Sequence, residues 1–233
     1  MTTDLAALKA HNLARWQQAK LTRDFSVAVR RLAVRKPRYQ AVSAQTGVPW
    51  YVIAVIHERE SSQSWSASLA QGDPWDRVSI HVPAGRGPFK SWEDAAVDAL
   101  VNCSPYPSRW KDWSIGGTLT LLEQYNGLGY AGRSVPSPYV WAGTDQYRSG
   151  KYVRDGVYDP AVVDRQLGCA GLLLAMKELD ASIFPTIPSV PSVPPPSQAT
   201  PTPRPSIAHP AKGSIGDLVA GLVRAVVLTF KRS

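Results

Sequence analysis

Val52-Ile53-Ala54-Val55-Ile56 is apolar on every side, and it runs straight into the polar string His57-Glu58-Arg59-Glu60-Ser61. A helix that is hydrophobic all round has to be buried all round. The run therefore predicts a helix through the middle of a core. Pro49 sits near its first turn, where proline is tolerated, and the helix reaches about Glu60. Such a helix carries a carboxyl group out of an apolar interior to the edge of a cleft. Partial loss of water penalises the charged form, so the proton is held longer. A proton held near neutral pH can be donated to a leaving oxygen. Glu58 lies two residues along the helix and points another way, so only one of the pair faces a cleft. His57-Glu58 begins a zinc-peptidase pattern, but its second histidine would fall at Ser61, so no metal site and no cofactor are expected.

A second stretch, Leu121-Leu122-Glu123-Gln124-Tyr125-Asn126-Gly127-Leu128-Gly129-Tyr130, joins the first. Together they resemble the lysozyme-like superfamily of goose-type lysozymes and lytic transglycosylases. There, an apolar helix ends in a similar Arg-Glu-Ser or Glu-Ser, and a Tyr-Asn-Ala-Gly signature ends a helix and lines the sugar cleft. The resemblance runs from Arg38 to Ala181 and is concentrated in the two motifs. It departs at Leu128, where the family has another small residue, and across the segment 72–89.

The resemblance implies a mainly α, lysozyme-like α+β domain with a small β-hairpin or loop region beside the cleft. It implies cleavage of the β-1,4 bond between N-acetylmuramic acid and N-acetylglucosamine in peptidoglycan, with Glu60, the residue before Ser61, as general acid. Tyr125 would stand near the acid, Asn126 would position sugar or the helix end, and Gln124 would add amide hydrogen bonds. Asn126-Gly127 also suits a plain helix cap. Goose-type enzymes draw on aspartates after the acid, which makes Asp73 a candidate base; Gly72-Asp73-Pro74 is equally good as a turn. Lytic transglycosylases use no second carboxylate, the sugar's own 6-hydroxyl attacking instead, and both chemistries stay open. Trp75 and His81, in the same loop region, are further candidate substrate contacts. Trp75, Trp141 and Tyr139 are the loop aromatics best placed to stack on sugar rings. The rival readings are a non-catalytic wall-binding protein and a membrane-active one.

The rest of the chain sets the boundaries. The catalytic domain is expected over 1–183, a linker over 184–211 and a basic amphipathic segment over 212–233. The linker holds ten of the 20 prolines, a composition that stays extended. In the last segment Ile215, Leu218, Leu222, Val226 and Phe230 share a helical face, which suits a lipid interface better than a membrane span of ~20 apolar residues. The net charge of +8 is uneven: nine Lys/Arg face two acids in residues 1–40, and five face one in 201–233. Basic ends suit an anionic surface or simply keep a protein soluble; no nucleic-acid partner is expected. Residues 1–20 lack the apolar core of a signal peptide, as in phage endolysins that are made in the host cytoplasm and reach the wall after release. Cys103 and Cys169 read as buried thiols, and a monomer is expected.

Helices are predicted over 6–20, over 25–45 with a break at Pro37, from Ser91 (opening a capping box) to Asn102, over 114–125, and from Asp159-Pro160 to Leu179. Val78, Ile80 and Val82 alternate as in a strand, and 136–159 reads as a long loop.

Overall fold

The computed structural model describes residues 3–184, except 71 and 82. Nearly all of the expected linker, and the whole expected 212–233 segment, lie outside the described residues.

Helix α1 (Leu5–Gln18) opens at Asp4, whose carboxylate accepts the amides of Ala6 and Ala7. Helices α2 (Ser26–Val34) and α3 (Lys36–Thr46) divide at Arg35, with Pro37 in the first turn of α3. Gly47, at φ 72°, closes α3 in the left-handed region where glycine carries no Cβ penalty. Helix α4 (Trp50–Ser61) follows Pro49. Helix α5 (Trp92–Asn102) starts where the capping box placed it, Ser91 accepting the amide of Asp94. Helix α6 (Ile115–Asn126) is capped by Ser114. The short helices α7 (Gly129–Gly132) and α8 (Pro138–Trp141) precede α9 (Cys169–Leu179). The fold is mainly helical with one small antiparallel sheet among the described residues, strands β1 (Lys151–Arg154) and β2 (Val157–Asp159).

The centre of the core is α4. Val52 through Ile56 are each 0% exposed, enclosed by α2, α3 and α9. His57 continues the buried run. Its Nδ1 accepts from the Tyr39 hydroxyl at 3.0 Å, and its Nε2 lies 2.9 Å from the Ser64 carbonyl. A carbonyl only accepts, so Nε2 carries the proton. Trp65 and Trp92 pack against the ring, and burial pushes the imidazole down to about 4. His57 is thus a neutral core residue. Phe184 closes the described chain, buried against Trp16 and Tyr51. Both cysteines are buried and unpaired.

Three expectations are corrected. Residues 78–80 are not a strand. Val78 and Ile80 are 54% and 80% exposed, so their alternation serves no buried face. Side chains hold the loop instead: the Asp73 carboxylate takes the amides of Ile80 and His81, and Ser79 Oγ takes the amide of Arg86. The hairpin falls inside the expected loop, turning at Asp155-Gly156 with Gly156 at φ 67°. The last helix begins at Cys169, about ten residues beyond Pro160. The intervening chain is irregular because Asp164 and the carbonyls of Leu167 and Gln166 answer arginines from elsewhere.

Candidate active site

At the end of α4 the chain passes from core to edge. Glu60 is half-buried, and its Oε1 accepts the hydroxyl of Tyr139 on α8 at 2.8 Å. Burial pushes the carboxyl up to about 7; the Tyr139 hydrogen bond and the Arg59 charge pull weakly the other way. Glu58 points elsewhere, held by Gln63 at 2.7 Å. Tyr125, at the end of α6, donates to the Leu69 carbonyl at 3.0 Å. Burial, and then the charge of Glu60, raise its phenol well above the ordinary range. Glu60, Tyr125 and Tyr139 therefore form one electrostatic group.

Arg59 braces this group. It is buried, pairs with Asp164 at 3.1 Å, donates to the Leu167 carbonyl at 3.3 Å, and lies over the Tyr139 ring, 4.8 Å from its centroid. Burial alone would raise Asp164, but the Arg59 charge and hydrogen bond, the Gln166 amide and the Lys151 charge together outweigh it and hold the carboxylate below its ordinary value. Gln166 donates to the Arg59 carbonyl at 3.3 Å. Lys151 of the hairpin reaches Asp164 from the other side, at 3.3 Å. Tyr130 accepts the Tyr152 amide at 3.0 Å and fixes the hairpin to α7.

These residues wall an open cavity of about 530 Å³, which Asn126, Gly127, Tyr139, Arg59 and the hairpin from Lys151 to Gly156 line. Glu60 is not itself in the wall, but its hydrogen-bond partner Tyr139 and its neighbour Arg59 are.

The other sequence candidates fall in several places. Asn126 is exposed at the cavity mouth. Gln124 is half-buried, and its Nε2 has no hydrogen-bond partner among the described residues. Asp73 and His81 meet each other rather than the cavity. The carboxylate takes the His81 amide at 3.0 Å, the Ile80 amide at 2.9 Å and sits 2.5 Å from His81 Nδ1. The His81 amide, above all, holds the Asp73 carboxyl below its ordinary titration range. Trp75 is half-buried and donates to the Trp65 carbonyl at 2.7 Å. Trp141 is fully buried, so it offers no face for a sugar, and Tyr139 is 3% exposed and serves Glu60 instead. Sequence reasoning missed Arg59, Asp164, Gln166 and the hairpin. The Asp155-Gly156 pair between alternating residues was the signal for the hairpin; the ion pair left none.

Among the described residues no His/Cys/Asp/Glu cluster could hold a metal ion, and no helix is long and apolar enough to cross a membrane. No protein-family profile, curated protein or solved structure matches the chain.

Proposed function

We propose that this protein is a peptidoglycan-cleaving glycosidase of the lysozyme-like kind, acting on the bond between N-acetylmuramic acid and N-acetylglucosamine. The observation that carries this reading is Glu60, a carboxyl whose proton is retained up to about pH 7 by burial at the end of the core helix. It stands one side chain behind an open cavity of about 530 Å³. Glu60 protonates the glycosidic oxygen as the bond breaks, and the departing ring develops oxocarbenium character. Tyr139 steadies the carboxylate left behind by hydrogen bonding to its charged form. Asn126 and the hairpin edge offer polar groups along the cavity.

A second chemistry on the same bond is favoured by the state of Asp73. Its two oxygens are taken up by the amides of Ile80 and His81 and by the His81 ring, so it is poorly placed to activate water. With Asp73 so engaged, the sugar's own 6-hydroxyl is the better placed nucleophile, giving an anhydro end without a separate base.

Mass spectrometry of fragments released from purified peptidoglycan tests both. Glu60→Gln is expected to lower cleavage by at least about 10²-fold, the usual worth of a positioned acid. Anhydro-muramic ends from the wild type would establish the transglycosylase route; reducing muramic ends would establish hydrolysis and return Asp73 to candidacy. Absence of fragments from the wild type would leave the binding and membrane readings.

A further inference from the structure

The stretch 30–38 carries five cations and no acid. Two of the five are answered: Lys36 meets Asp180 at 2.5 Å and Arg38 meets Glu93 at 2.6 Å. Among the described residues Arg30, Arg31 and Arg35 form no ion pair. Arg30 donates to Ser26 Oγ at 3.1 Å and acts on the Asp24 charge only through space. All three arginines are exposed, and they line a cavity of about 420 Å³ between the end of α2 and the turn that follows α4. Gln63 ties that turn down, its amide donating to the Ala28 carbonyl at 3.2 Å and to the Glu58 carboxylate at 2.7 Å. No carboxylate stands among the described residues that line the cavity.

The same face of α2 is apolar at both ends. Val29 and Leu32 turn into the core, while Val27 and Val34 are 53% and 74% exposed. Val27, Arg30, Arg31 and Val34 follow the i, i+3, i+4, i+7 spacing of one helix face. Three unpaired guanidinium groups around one cavity call for an anion with several oxygens, and phosphate matches their forked donors. A soluble phosphate polymer would answer the arginines and leave both valines in water. A bilayer surface answers both, because its phosphates lie beside the edge of an apolar layer. We infer that this face docks on an anionic phospholipid surface, a headgroup phosphate seated among Arg30, Arg31 and Arg35 and the two valines resting against the acyl boundary. The docking does not require that Glu60 cleave anything.

The test places a polarity-sensitive dye on the face itself. Cys103 and Cys169 are buried, so Val34→Cys in the full chain gives one accessible thiol. The dye answers to contact at α2, whatever the basic 212–233 segment does. Vesicles of phosphatidylglycerol with phosphatidylcholine are expected to shift its emission to the blue, and vesicles of phosphatidylcholine alone are not. In the dye-labelled chain, Arg31→Gln/Arg35→Gln is expected to weaken vesicle binding about 25-fold, at about fivefold for each cation lost near an anionic surface. Val27→Ser is expected to weaken it about fivefold, as for about half a valine side chain leaving an apolar layer, and to leave binding of soluble polyphosphate unchanged. All of these positions are exposed, so the variants keep the fold. No blue shift with the anionic vesicles, an equal shift with phosphatidylcholine alone, or unchanged affinity in the double arginine variant would overturn the inference. Unchanged vesicle affinity in Val27→Ser, with polyphosphate binding to the same arginines, would overturn it in favour of a phosphate polymer.

Discussion

Tyr139 bears on the proton of Glu60 more directly than any other side chain, because its hydroxyl bonds Oε1 at 2.8 Å and favours the ionised form. Removing that hydroxyl leaves burial less opposed, so the carboxyl of Tyr139→Phe keeps its proton to higher pH. If Glu60 is the acid, activity falls as pH rises through about 7, where Glu60 ionises. In Tyr139→Phe this alkaline limb is expected to move upward by about one pH unit, since a hydrogen bond to a charged group contributes about 1.5–3 kcal/mol. A pH profile of the cleavage rate checks it; a limb that stays put or moves down would show that Tyr139 does not govern the proton. Glu60 was legible in the sequence because a buried run and the carboxylate at its end are neighbours along the chain. Tyr139 was read only as a loop aromatic, because its partner lies 79 residues away. No spacing rule carries a contact of that range.

Most helices were legible to within a residue or two because their signals are local: the Ser91 and Ser114 caps, Pro37, Pro49 and the apolar run of α4. Elements set by tertiary contacts were not. The start of α9 depends on the loop that serves Arg59, and the 78–80 strand pattern lost to hydrogen bonds inside its own loop. The Arg59–Asp164 pair ties α4 to the segment entering α9, both side chains being 5% or less exposed. Arg59→Met leaves the buried Asp164 carboxylate with the Gln166 amide and Lys151, and is expected to cost about 3–5 kcal/mol, the usual penalty for removing one partner of a buried pair. Denaturant unfolding reads it, and a loss under about 1 kcal/mol would place the pair among merely surface-like ones. Gly168, just before α9, allows a close approach to α8. A Cβ there would meet the Ala142 amide nitrogen and the Val140 carbonyl oxygen, each at 2.6 Å. Both are backbone atoms that cannot swing aside, so Gly168→Ala is expected to lower stability by about 1–3 kcal/mol, read as a fall in Tm.

At the scale of the molecule, three buried groups titrate where most proteins are stable, and they pull in two directions. Glu60 and Glu123 rise from 4.5 to about 7 on folding. Between those values the folded chain holds protons that the unfolded chain has lost, so stability falls as pH rises across that window. His57 drops from 6.5 to about 4, so between those values the unfolded chain holds the extra proton and stability rises with pH. Each group contributes up to about 3 kcal/mol across its window. Two glutamates against one histidine leave a net loss close to one glutamate's worth between about pH 4.5 and 7. The carboxylates held low, such as Asp73 and Asp164, act below about pH 4 and stay out of this range. Wild-type stability is therefore expected to decline toward neutrality. In Glu60→Gln/Glu123→Met only His57 of these three remains, so the slope should reverse and stability should climb from pH 4 to 6.5. Chemical denaturation of both chains over pH 4.5–7.5 reads this sign directly. A double variant that still loses stability toward neutral pH would show that neither glutamate is held protonated in the fold, and the acid assigned to Glu60 would lose its physical basis.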